Sequence, residues 1–137
     1  MKRIVIYAAV ALTMAAITVS AHPSSPARVV HDLARIEENL LRALNNSKSR
    51  SMQESAAQLV IQLETLVPGE SLDAFTTPLV TIVNDEGAGT QTRLVAAIAL
   101  DGLHSEVGNG VLSQLARSSD DRSLVQLCSA LVARNEK

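Results

Sequence analysis

Asp101, His104 and Ser105 place a carboxylate, an imidazole and a hydroxyl close together in the chain, and these are the residue types of an acyl-transfer centre. Their closeness argues against that use. A nucleophile, its base and the group that orients the base normally converge from separate elements, and no Gly-x-Ser-x-Gly elbow accompanies these three. Ser105 instead stands where a helix N-cap is needed. His22 and His31 form a second candidate set, since an N-terminal amine and imidazole at His22 could chelate a metal. A metal centre needs further ligands in fixed geometry, however, and no paired spacing supplies them; His104 is far along the chain. Gly87-Ala88-Gly89 lacks the Lys-Ser/Thr of a phosphate loop and is explained by a turn. Cys128 lies four residues after Leu124 and three before Leu131, on an apolar stripe, so it is expected to be buried as a small hydrophobe; an exposed thiol pairing with a partner is the alternative. No catalytic residue, cofactor or metal ligand is assigned, and the chain is not expected to be an enzyme.

Composition narrows the possibilities further. Lys2 and Arg3 precede an apolar run ending in Val19-Ser20-Ala21, the pattern of a secretory signal peptide cleaved after Ala21; the run is short for a membrane span and contains Thr13 and Thr18. The expected organisation is a signal peptide over residues 1–21 and one domain over residues 22–137, exported to the periplasm or secreted, with no stable membrane insertion after cleavage. An uncleaved anchor is the competing reading. Loss of Lys2 and Arg3 leaves ten basic residues of twelve against fourteen acidic, a net charge of −4. The basic residues are scattered, so no phosphate-tracking patch forms and nucleic acid is not an expected partner. Tyr7 departs with the signal, leaving Phe75 as the one aromatic residue. Surfaces that stack bases or sugars, and aromatic hot spots, are thereby excluded. A single cysteine forms no internal disulfide, so stability must come from packing.

The elements that must supply this packing are helices. Residues 90–103 are the longest strongly apolar helix pattern of the mature chain, opened by Thr90 as N-cap and closed by Gly102. Leu94, Val95, Ala96, Ala97, Ile98, Ala99 and Leu100 leave no polar stripe, which predicts cover on nearly every side, Ile98 and Leu100 included. Before it, Ser25-Pro26 begins an amphipathic helix with Val30, Leu33, Ile36, Leu40 and Leu44 inward, ending at Asn45-Asn46. Ser51 and Glu54 form a capping box for a second helix, with Met52, Ala56, Leu59, Val60 and Leu63 inward, stopped by Pro68-Gly69. Thr77-Pro78 opens a short third helix with Leu79, Ile82 and Val83 inward. After the central run, Ser105 starts a fifth helix with Val107, Leu112 and Leu115 inward, weakened by Gly108 and Gly110. Asp120 or Ser119 caps a sixth, with Leu124, Leu127, Cys128 and Leu131 inward. No alternating strand pattern interrupts the series.

Six helices, alternating outer and inner, overlay as three hairpins. Ala56-Ala57 corresponds to Ala96-Ala97 and then to Cys128-Ser129, at spacings of 40 and 32 residues. The run from Pro78 to Glu86, followed by Arg93-Leu94-Val95-Ala96-Ala97 and then Ala99-Leu100 and Leu103, resembles the HEAT-repeat consensus, and the mature chain resembles a small secreted bacterial HEAT-like protein. The resemblance implies an all-α fold, a short right-handed α-α superhelix of about three hairpins, that binds an unidentified protein partner through a curved face and carries no catalytic residues. It also implies that Asp85 and Arg93 support the stack. Gln53 and Val125 stand at the positions matching Arg93, which breaks any charge ladder. In such a stack Gln58, Gln62, Arg93 and Asp101 would form an exposed, partner-facing ridge, and Ile61, off the stripe of its helix, would meet the next hairpin or a partner. A small exported metal-binding or stress-response protein using His22 and His31 is the alternative function.

Overall fold

The computed structural model describes residues 26–137, with side chains from residue 32 onward. The signal-peptide segment, His22 and the side chain of His31 therefore lie outside the described residues. The chain divides into two units, Met1–Leu33 and Ala34–Lys137. Of the first, the described part is the beginning of helix α1, Pro26–Leu44; the second holds the remainder of α1 and helices α2 (Arg50–Leu66), α3 (Thr76–Asn84), α4 (Thr90–Gly102), α5 (Glu106–Ser118) and α6 (Arg122–Asn135). Short 3-10 turns at Asp73–Phe75 and Glu86–Ala88 precede α3 and α4. The fold is all-helical, without a strand among the described residues. No helix among them is long and apolar enough to cross a membrane.

The apolar run at 90–103 becomes the helix on which four others converge. Helix α4 packs against α2, α3, α5 and α6, while α3 also touches α5 and α5 lies along α6. Ala96, Ala97, Ala99 and Leu100 are fully enclosed, together with Val60 of α2, Leu79 and Val83 of α3, Leu112 of α5 and Leu124 and Cys128 of α6. Alanine at successive positions permits this crowding, since a methyl group keeps neighbouring axes close, and each enclosed leucine contributes about 1.5–3 kcal/mol relative to exposure. Gly108 serves the same end: a Cβ there would lie 3.0 Å from Leu100 Cδ1 and 2.7 Å from the Ser105 hydroxyl. The residue that weakens α5 as a helix lets α5 approach α4.

The cover is not complete on every side. Leu100 is buried, but Ile98 is 41% exposed. Together with exposed Gln91 and half-buried Leu94 it forms one open stripe, because the neighbouring helices leave that side of α4 uncovered. Met52, Leu59 and Val107 are likewise exposed. On α2 the buried face is rotated from the expected one: Gln53, Ala56, Ala57, Val60 and Leu63 form it, since the small alanines face α4 and the larger Met52 and Leu59 are displaced outward. Ile36 is exposed on α1, where Leu40 and Leu44 are buried.

Several helix starts also differ by one or more residues. The cap of α2 is Ser49, whose hydroxyl accepts from the Met52 amide, so Ser51 lies inside the helix and the Ser51/Glu54 capping box does not form. Helix α3 begins at Thr76, continuous with the preceding turn, which places Pro78 within its first turn. Gly89, not Thr90, occupies the cap of α4, and the Thr90 hydroxyl is drawn instead to Asp121. Asp121, rather than Asp120 or Ser119, caps α6 by accepting from the Ser123 and Leu124 amides. Ser105 caps α5 as expected.

Candidate functional site

Of the four residues expected on an exposed ridge, Gln58 and Gln62 are exposed and lie one turn apart on α2. Arg93 and Asp101 are not: they are 8% and 1% exposed and belong to the interior. Each is held there by a partner from another helix. Such partners follow from the packing and have no local trace in the sequence.

Arg93 lies in the first turn of α4, where its Nε donates to the Val83 carbonyl of α3 at 2.8 Å. Gln53, four residues into α2 as Arg93 is into α4, does the same work: its Nε2 donates to the Leu44 carbonyl of α1, also at 2.8 Å. Both satisfy a helix-end carbonyl that has no intrahelical donor. A second pair of contacts joins each inner helix to the following turn. Arg50, the first residue of α2, pairs with Asp85 at 2.9 Å, and Thr90, the first residue of α4, donates to Asp121 at 2.7 Å. Asp85 also accepts from the Gly87 amide, so each aspartate shapes its own turn while accepting from the preceding inner helix. The Thr90 hydroxyl, with the Leu124 and Ser123 amides and the nearby Arg93, holds the Asp121 carboxyl below the usual carboxylate range.

The other end of the inner helices forms a cleft of about 600 Å3, with Glu64, Asp73, Gly102, His104 and Arg134 among its walls. Asp101 anchors it from beneath, paired with Arg134 and accepting from Asn135 Nδ2 at 2.7 Å, which ties the end of α6 to α4. Glu64 reaches across from α2. Its carboxyl occupies the place a side chain at 102 would need, since a Cβ there would fall 1.8 Å from Glu64 Oε2. Its Oε1 is buried without a hydrogen-bond partner. Burial, and then the neighbouring Asp101 carboxylate, raise its pKa to about 7. His104 closes α4 in the left-handed region, with φ 50°, its amide donating to the Asp101 carbonyl.

The side chains of Asp101, His104 and Ser105 are not hydrogen-bonded to one another. Asp101 is committed to Arg134 and Asn135, and the Ser105 hydroxyl accepts from the Gly108 amide. Among the described residues no group of three or more His, Cys, Asp or Glu is disposed to hold a metal ion. Cys128 is buried, and burial pushes its thiol up to about 11, with Arg93 pulling weakly the other way. It stands as a neutral core side chain. Gly87-Ala88-Gly89 is part of the turn before α4, with Ala88 in the core. Ile61 is half-buried on α2. No protein-family model, no curated protein and no solved structure matches the chain.

Proposed function

We propose that the chain is an exported, non-enzymatic helical-repeat module, three HEAT-like hairpins forming a short right-handed superhelix after removal of residues 1–21, which binds a protein partner. The observation that carries the reading is the equal register of the contacts just described. In α2 and α4 the fourth residue donates to a last-turn carbonyl of the preceding helix, and the first residue binds the aspartate of the following turn. Two hairpins that solve the same two problems with the same helix positions support a repeat, even though the side chains differ. An array of this kind acts by presenting a fixed surface, and each hairpin is stable only against its neighbours. Gln58 and Gln62 are exposed polar residues of α2 that a partner can reach.

The direct test is capture of exported proteins with the domain over residues 22–137 as bait, in parallel with a Gln58→Glu/Gln62→Glu variant of matched helicity. One partner retained by the parent and lost by the variant is the expected result. Capture of the same proteins by both would remove α2 as the recognition surface, and detection of a chemical turnover by the domain would overturn the non-enzymatic reading.

A further inference from the structure

The contacts that join one hairpin to the next stop at α6, and what they leave open has a definite chemistry. Helix α6 matches α2 and α4 position for position when each is counted from its first residue: Arg122 stands with Arg50 and Thr90, Ser129 with Ala57 and Ala97, and Val132 with Val60 and Leu100. In the first two hairpins these positions are covered. Ala57, Ala97, Val60 and Leu100 are all buried, and Arg50 and Thr90 each hold an aspartate of the next turn. In the third, Ser129 is exposed and Val132 only half-buried. Arg122 is exposed and has no ion-pair partner among the described residues. A shallow groove of about 260 Å3 runs alongside, lined by α5, α6 and the Glu136 that follows α6, with small Ser113, Ala116, Ser129 and Ala133 beside Arg117 in its walls. Small side chains there offer the close approach that alanines give α4.

We infer that this outer face of α5 and α6 is a docking surface for a helical hairpin of another protein, one whose turn places an aspartate or glutamate against Arg122. The inference rests on the three-hairpin reading, which supplies the register. Within the chain the same helix position binds a carboxylate twice, once through a guanidinium and once through a hydroxyl, so charge complementarity names the missing partner group. A second copy of this chain does not meet that need. Its first hairpin carries Asn45 and Ser49 at the positions that Asp85 and Asp121 hold before their own inner helices, and so offers Arg122 no carboxylate in this register. The occupant is therefore a different protein.

The surface is tested with a defined occupant: a tandem chain in which residues 104–137 are repeated directly after Lys137, so that the added hairpin brings its own copy of Asp121 to the open face. The expected result is that the added amides become protected from hydrogen exchange, and that protection of the original α6 rises about tenfold or more, as nearest-neighbour coupling in a repeat array requires. Arg122→Ala in the original hairpin removes most of that gain, and so does Asp121→Asn in the added one, since asparagine keeps the helix cap but not the charge. An added hairpin that exchanges like free peptide, beside an original domain with unchanged protection, overturns the docking surface and leaves the three-hairpin reading intact. Seating that is indifferent to both variants overturns the carboxylate requirement. Sedimentation of the unextended domain supplies a further check: self-association abolished by Ser129→Arg would assign the face to a second copy and overturn the inference.

Discussion

At the scale of single residues the polar interior is the informative part. Gln53 and Arg93 are buried where helix-end carbonyls need donors that the helices themselves do not provide, and Asp101 is buried where the Arg134 and Asn135 side chains bind it. Their residue types were visible in the sequence and their burial was not, because the partners at Leu44, Val83, Arg134 and Asn135 come from other helices. Cys128 is the opposite case: its place on an apolar stripe was enough to put it inside. Glu64 yields a prediction of its own. Its pKa is raised from 4.5 to about 7 in the folded state, so between those values the folded protein holds a proton that the unfolded chain has released. Stability therefore falls as pH rises from about 4.5 to about 7 and is insensitive to this group above that window. Thermal unfolding of Glu64→Gln should lose this dependence and give a higher midpoint than the parent at pH 8. Gly102→Ala should do the same by a different route, since its methyl group evicts the Glu64 carboxyl into water. A parent whose stability rises across this window would contradict the placement of Glu64.

At the scale of elements, helix existence was legible and helix rotation less so. The Pro26 start, the Pro68-Gly69 stop and the 3.6-residue periodicity located six helices without tertiary information. The caps of α2, α4 and α6 were harder to locate. Each lies in a polar stretch offering several hydroxyls, carboxylates or glycines in succession, and among Ser119, Asp120 and Asp121 only the last also meets a neighbouring helix, at Thr90. The sequence places Met52 and Leu59 inward on α2, whereas the close approach of α4 buries Gln53 and Ala57 and leaves Met52 and Leu59 exposed. The same crowding makes Ala97 a sensitive position. Ala97→Asp buries an unpaired charge and should cost about 3–5 kcal/mol, a large share of the stability of a domain this size. Ala97→Gly should cost only about 1 kcal/mol, the difference in helix propensity. Denaturant titration of the two variants separates burial from propensity. An aspartate variant no less stable than the glycine one would mean that this face of α4 is not enclosed.

At the scale of the whole molecule, the proposed array has α4 in the middle of the inner row, with α2 on one side and α6 on the other. The resemblance to the HEAT consensus lies mostly in the middle hairpin, and in the first hairpin the equivalent contacts are made by different residues. Gln53 replaces Arg93 as the donor, and Thr90 replaces Arg50 as the ligand of an aspartate. Register in space persists where identity in sequence does not, which is why the charge ladder looked broken at Gln53 when the contact itself is kept. Native-state hydrogen exchange on the domain over residues 22–137 tests the central claim most directly. The amides of α4 from Val95 to Asp101 should be the slowest in the molecule and open only with global unfolding, while those of α1 and of the last turn of α6 open earlier. Amides of α4 that exchange faster than those of α2 or α6 would contradict a chain organised around this helix.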